Sequence, residues 1–480
     1  MHRSREFQST AGRSLAGLLP VLTGVLVWPL VLSATPISAN EPAPAGALYH
    51  SDPQHLWNRL HDALFVRIGP DGREYGRDRL DPLLWTETEF LLENRSRDRA
   101  IALLQEFLNE NGQKLIAEPL RRAVLQRDLW LIFNWLTPRL TRDRADETRL
   151  AGLLASVISR LALTPEQIRG LPDNYAAAVA SGEFATKFDP LRPDEPYLPP
   201  DLFASDGPWV CVGRPDGPVA PQHLRENGGN NPSTNSVFLV FLRLPGGRDA
   251  TLDLLKQLRA FDQPLVVKSD AAGNRANKFL PNKNLPLIPA GTEMALVRRA
   301  FVIDSSNTPV PSPLTESVQL RVYREVPEIT GETLDASLVS GTAANRNARA
   351  WQSFFEFRLN RQLLFAGRAG GLRAVGGDER DFKTGFRAHG WDPFERGQDD
   401  RRFSEGDQPP VRQNCFACHS LPGLTSFNSY SDDWRGGLSS GNVRPPPALS
   451  EVSVAEALAS GSEWKKRRPN WIALRGLLTK

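Results

Sequence analysis

Cysteine, methionine and histidine are scarce in this chain of 480 residues, with three, two and seven of each. So few cysteines leave no basis for a scaffold held by several disulfides, and no structural disulfide is expected. An excess of positive charge is also missing. Lys and Arg number 58 against 55 Asp and Glu, a net charge of +3, which argues against bulk binding to nucleic acid. Beyond the first forty residues no apolar run approaches transmembrane length. The glycine pairs Gly228-Gly229, Gly246-Gly247 and Gly370-Gly371 lack the spacing of a phosphate or dinucleotide loop and read as turns.

Against this scarcity, two of the three cysteines fall together in Cys415-Phe416-Ala417-Cys418-His419. Chance would give a CxxCH in about 3 of 10,000 chains of this composition. The spacing is that of covalent haem attachment: two thiols add across the haem vinyl groups, and the next residue, a histidine, is placed to ligate the iron. A reducible disulfide loop and half of a zinc site are the blander readings. The zinc site would need another close Cys or His pair, which the chain lacks. The third cysteine, Cys211, then has no thiol partner and reads as a small buried hydrophobe, with a thiolate ligand as the lesser alternative.

The N-terminus fits an exported protein. Arg3, Arg5 and Arg13 form a basic segment, and Leu15 to Leu32 is mostly apolar. Ser33-Ala34 and Ser38-Ala39 offer cleavage points, and cleavage after Ala39 is expected. Pro20, Pro29 and Pro36 weigh against an uncleaved anchor. Removing residues 1–39 takes away three basic residues and one acidic residue, leaving a net charge of +1. A periplasmic or otherwise exported chain with no transmembrane segment after removal of the leader is expected.

Periodicity divides the remainder into an α+β multidomain arrangement: an N-terminal helical bundle (40–182), a linker (183–207), a central β-rich domain (208–367) and a C-terminal loop-rich region (368–480) that carries the haem motif. Ser51-Asp52-Pro53 is a helix start, and Leu56, Trp57, Leu60, His61 and Leu64 share one helical face. Further helices are predicted over 97–109, from Pro119 to about Leu136 with Trp130, Phe133 and Trp135 as core, and over 145–163. Short β-branched or aromatic runs at 209–212, 236–244, 265–268, 295–303 and 317–324 predict strands, with one helix at 249–261. Residues 355–360 alternate as a strand does, with a helix left open. Two short helices close the chain.

Cys415, Cys418 and His419, with a weaker echo in Pro447-Ala448-Leu449, resemble the c-type cytochromes over perhaps a hundred residues. The resemblance implies one haem c per chain. The small cytochrome c fold takes its distal ligand from a methionine after the motif, yet residues 420–480 contain no Met, His or Cys. The sixth ligand therefore comes from upstream, or the site is open. His389, 26 residues before Cys415, is the nearest donor, and Met294 is the only methionine after the leader. His50, His55, His61 and His223 are further alternatives, with His61 on an apolar face that suits a core histidine. Arg401, Arg402 and Arg412 flank the motif and are candidates for neutralising the propionates, with a solvated surface face as the commoner reading of such charges, and Trp391 and Trp434 are candidates for packing on the haem. Lys465-Lys466-Arg467-Arg468 suggests a basic docking patch for an acidic redox partner.

One CxxCH without a recognisable catalytic set points to an exported monohaem c-type cytochrome that passes electrons to a protein partner. A peroxidase-like haem enzyme with an open distal site is a second reading, although diheme peroxidases carry two such motifs. A haem-containing sensor or assembly protein is a third, because most of the mature chain is free of haem motifs.

Overall fold

Helices and strands form where the apolar periodicity demands them. In the computed structural model the described residues are 48–68, 74–75, 77, 94–137, 145–214, 235–261, 265–269, 275–282, 284, 286–326, 351–377, 379 and 449–478. The expected leader, 1–39, lies outside them. Helix α1 (Leu56–Phe65) buries the face that carries Trp57, Leu60 and Leu64. The two-residue strands β1 (Arg67–Ile68) and β2 (Glu74–Tyr75) pair after it. Then come α2 (Asn94–Asn109), α3 (Pro119–Leu136) and α4 (Ala145–Arg160). Proline at the first turn of α3 costs no hydrogen bond, because that amide has no partner within the helix. Trp130 and Phe133 are buried as expected, and the Trp135 side chain lies outside the described residues. Two short helices follow, α5 (Pro165–Arg169) and α6 (Asn174–Ala180).

The centre of the molecule is a seven-stranded antiparallel sheet. Its members are β3 (Val210–Gly213), β4 (Ser236–Arg243), β7 (Thr292–Ile303), β8 (Pro309–Tyr323), β9 (Gln352–Leu359), β10 (Leu372–Ala374) and β11 (Ser450–Glu451). Their order across the sheet is β10-β9-β8-β7-β4-β3-β11. The alternating segment at 355–360, open between strand and helix on sequence, is a strand. A separate hairpin pairs β5 (Leu265–Ser269) with β6 (Arg275–Pro281). Helix α7 (Gly247–Arg259) follows β4, α8 (Arg361–Phe365) follows β9, and α9 (Val454–Lys466) and α10 (Pro469–Leu478) close the chain.

Each face of the sheet has its own core. The first face carries Leu239, Phe241, Ala295, Val297, Val318, Leu320, Phe355 and Phe357, in one apolar cluster with buried residues of α1 to α4. Tyr197, Leu198 and Leu202, within the segment expected as a linker, are buried in the same cluster. The second face carries Val210, Val212, Phe238, Val240 and Leu242, covered by Leu254, Leu255 and Leu258 of α7. The chain is thus a mixed α+β protein, with helices and sheet meeting across a shared core. No helix among the described residues is long and apolar enough to cross a membrane.

Candidate functional site

Cys415, Cys418, His419 and His389 lie outside the described residues, as do His223, Arg401, Arg402, Arg412, Trp391 and Trp434. What the described residues define is the frame at both ends of the segment that carries the motif. That segment leaves β10, one edge strand of the sheet, and rejoins the chain at β11, the opposite edge. Six strand spacings of about 4.8 Å separate the two edges, roughly 29 Å.

Both ends are fixed on the second face. Directly opposed residues of antiparallel strands point to the same side, so Arg373 lies on the second face with its β9 partner Arg358. Beyond β10, Arg373 makes a bidentate ion pair with Glu379 at 2.6 and 2.7 Å. At the return, Leu449 is buried in the second-face cluster with Val210, Val212 and Phe238. Next to it Glu451 pairs with Arg248 of α7, and α9 begins with a reciprocal capping box between Ser453 and Glu456.

Met294 belongs to this second face. Strand register aligns Leu242, Met294, Arg321 and Phe354 in one row across β4, β7, β8 and β9, with Val240, Leu296, Gln319 and Glu356 in the next. The face thus runs from apolar over β4 to charged over β8 and β9. Met294 and Leu296 are half-buried at the border of the α7 cluster. The Arg321 guanidinium stacks over the Phe354 ring at 4.7 Å, and Arg358 pairs with Glu356 at 2.8 Å. A thioether is a ligand type that suits soft or borderline metals, and here it packs against the α7 cluster.

The remaining upstream donors are less suitable as ligands. His61 is fully buried, stacked on Phe65 and edge-on to Tyr49. Its Nδ1 lies 3.7 Å from Asp62, beyond hydrogen-bond reach, and burial lowers its pKa. It is a neutral core histidine. His50 and His55 stack with ring centroids 4.4 Å apart, and each Nδ1 accepts a backbone amide, from Asp52 and Trp57 respectively. Cys211 is buried on β3, and loss of solvent raises its thiol pKa to about 12, so it packs as the small hydrophobe expected. Among the described residues no group of three or more His, Cys, Asp or Glu side chains is arranged to hold a metal.

Of the basic run at 465–468, Lys465 does not contribute to an exposed patch. Lys465 is fully buried, its Nζ donating to Asn235 Oδ1 at 3.1 Å and lying 4.9 Å from the Trp130 ring centre. Lys466 pairs with Glu463, and Arg468 stacks on Trp464. The helix ends at Lys466, and Lys465 is turned inward while Lys466 and Arg467 are exposed and Arg468 is half-buried.

Sequence reasoning missed a buried ionic network between the helices and the sheet. Arg127 Nε of α3 donates to Glu316 Oε1 of β8 at 2.5 Å, and Ser236 of β4 donates to the other oxygen. Asp128 accepts from Arg361 of α8 at 2.9 and 3.0 Å and from Arg127 at 3.3 Å. All of these side chains are buried. The available signal was Gln126-Arg127-Asp128 between Leu125 and Leu129, a polar insertion in a helix without a polar face. The network joins α3, β4, β8 and α8 across the shared core.

No family model matches the chain, and no curated protein or solved structure is similar to it, so its resemblance to c-type cytochromes stands on residues 415–419.

Proposed function

We propose that this chain is an exported monohaem c-type cytochrome that transfers electrons to a protein partner. The observation that carries the reading is Cys415-Phe416-Ala417-Cys418-His419, behind an N-terminus of export type. The haem, when bound, supplies one-electron iron chemistry. Cys415 and Cys418 hold it covalently, and His419 is the proximal ligand. His389 within the segment and Met294 on the sheet are the two upstream donors for the distal position. Of the two, methionine would set the higher potential.

The test is covalent haem content and reversible redox cycling of the exported protein. One haem per chain, lost in the Cys415→Ala, Cys418→Ala variant, is expected. A holoprotein that no chemical or protein partner can cycle between ferric and ferrous states overturns electron transfer. Absorption and magnetic spectra of His389→Ala and Met294→Ala identify the distal ligand, because only the true ligand alters the low-spin signature. Rapid carbon monoxide binding to the ferrous protein together with peroxide turnover would instead establish the open-site enzyme.

A further inference from the structure

We propose that β8 from Pro309 to Thr315 is a strand edge closed against pairing, so that two copies of this chain cannot join their sheets along it.

This stretch runs past the end of β9. Pairing of β8 with β9 begins at Ser317 opposite Arg358, and β9 gives way to α8 at Asn360. Before Ser317, β8 pairs only with β7, and among the described residues no strand lies on its other side. Helix α5 does not close over it. A groove of about 500 Å³ remains between them, lined by Pro165, Ile168 and Arg169 on one side and Val310, Pro311 and Pro313 on the other. Unpaired strand edges of this kind are templates for a second chain.

The direction of each backbone group follows from β7. Residues of an antiparallel pair bond alternately across the pair and away from it. Phe301 and Ile303 bond away from β8: the Phe301 amide donates to the Asn235 carbonyl at 2.8 Å, and the Ile303 amide donates to Gln126 Oε1 at 2.7 Å. Their partners in register are Pro311 and Pro309. These two positions therefore turn their backbone to the outer edge, and proline has no N–H to present there.

The rest of the stretch is closed by other means. Ser312 to Leu314 stand opposite Ala300 alone, a bulge that contains Pro313 and breaks the ladder. At Thr315 both backbone groups are taken by one side chain of α6. Asn174 Oδ1 accepts from the Thr315 amide at 2.6 Å, and Asn174 Nδ2 donates to the Thr315 carbonyl at 3.0 Å. An incoming strand thus meets no donors at 309 and 311, a bulge at 312–314 and a clamped residue at 315. Proline at every second position, 309, 311 and 313, matches the period of one strand side.

The test restores the two missing amides with residues that favour strands, in a Pro309→Val, Pro311→Thr variant of the full-length protein. Sedimentation over a concentration series and amide exchange read by mass spectrometry are compared with the unsubstituted chain. A concentration-dependent shift to a dimer or larger species, absent from the unsubstituted chain, is expected. Exchange at the introduced amides should be at least about tenfold slower in the associated form than at high dilution. A variant with native far-ultraviolet dichroism that sediments like the unsubstituted chain overturns the closed edge. So does association that leaves the amides at 309 and 311 exchanging as freely as at high dilution, because the contact then lies elsewhere. Pro309 is buried and Pro311 half-buried, so if the double variant loses native dichroism, Pro311→Thr alone carries both readings with the same outcomes. None of these measurements involves residues 415–419, so the closed edge and the haem proposal fail separately.

Discussion

At Asp128 a single carboxylate on α3 receives Arg127 from its own helix and Arg361 from 233 residues later. Burying such a group is expensive unless every charge is answered, and removing one member leaves the others stranded in a medium of low polarity. Asp128→Asn is therefore expected to lower unfolding stability by about 3–5 kcal/mol, read from urea titrations of the intact chain. His61 is the opposite case, a buried histidine held neutral by desolvation. Its folded pKa lies below the ordinary histidine value of about 6.5, so the unfolded chain binds the extra proton first as pH falls. Its contribution opposes folding increasingly from about pH 6.5 downwards, until the folded pKa is reached. His61→Leu should cost no more than about 1.5 kcal/mol at pH 8 and flatten this part of the stability–pH curve. An unchanged acid slope would show that other groups set it.

Between elements, close approach of backbones is what sets the joints. Gly370 has a φ of +57°, and a Cβ there would fall 1.8 Å from the Asn174 carbonyl oxygen. Asn174 in turn caps the joint, its side chain bonding Thr315 of β8 in both directions and the Gly370 carbonyl. Gly370→Ala combines left-handed strain with overpacking and is expected to cost about 2–5 kcal/mol. Because β10 begins two residues later, the same variant should loosen that edge strand. Faster amide exchange at Leu372–Ala374 would register this, and unchanged protection there would uncouple the two. Much at this scale was legible in advance. Pro119 and the apolar run behind it defined α3, and β-branched or aromatic runs defined β4 and β7. Helix α5 was missed although Thr164-Pro165-Glu166-Gln167 carries a complete capping box. Strands of two or three residues, such as β11, have no period to read.

Across the whole molecule, helices and sheet share one apolar cluster, with Trp57 and Trp130 on the helical side and Trp209 beside β3. Division into separately folding helical and β-rich domains would expose that surface. Unfolding is accordingly expected to be a single transition, with tryptophan fluorescence and far-ultraviolet dichroism coinciding along a urea titration. Two resolved transitions would restore the domains as independent units.

The sequence by itself determined the CxxCH spacing at residues 415–419, on which the haem proposal rests, the mixed α+β composition and most of the longer elements. These depend on residue type and local period alone. Only the tertiary structure decided that β10 and β11 are opposite edges, that Arg373 and Leu449 share one face, and that Lys465 points inward. Each of these is a non-local pairing, set by strand order and burial between residues far apart in the chain. Spacing along a sequence carries a local motif, whereas the faces and edges of a sheet are assembled from strands that meet only after folding.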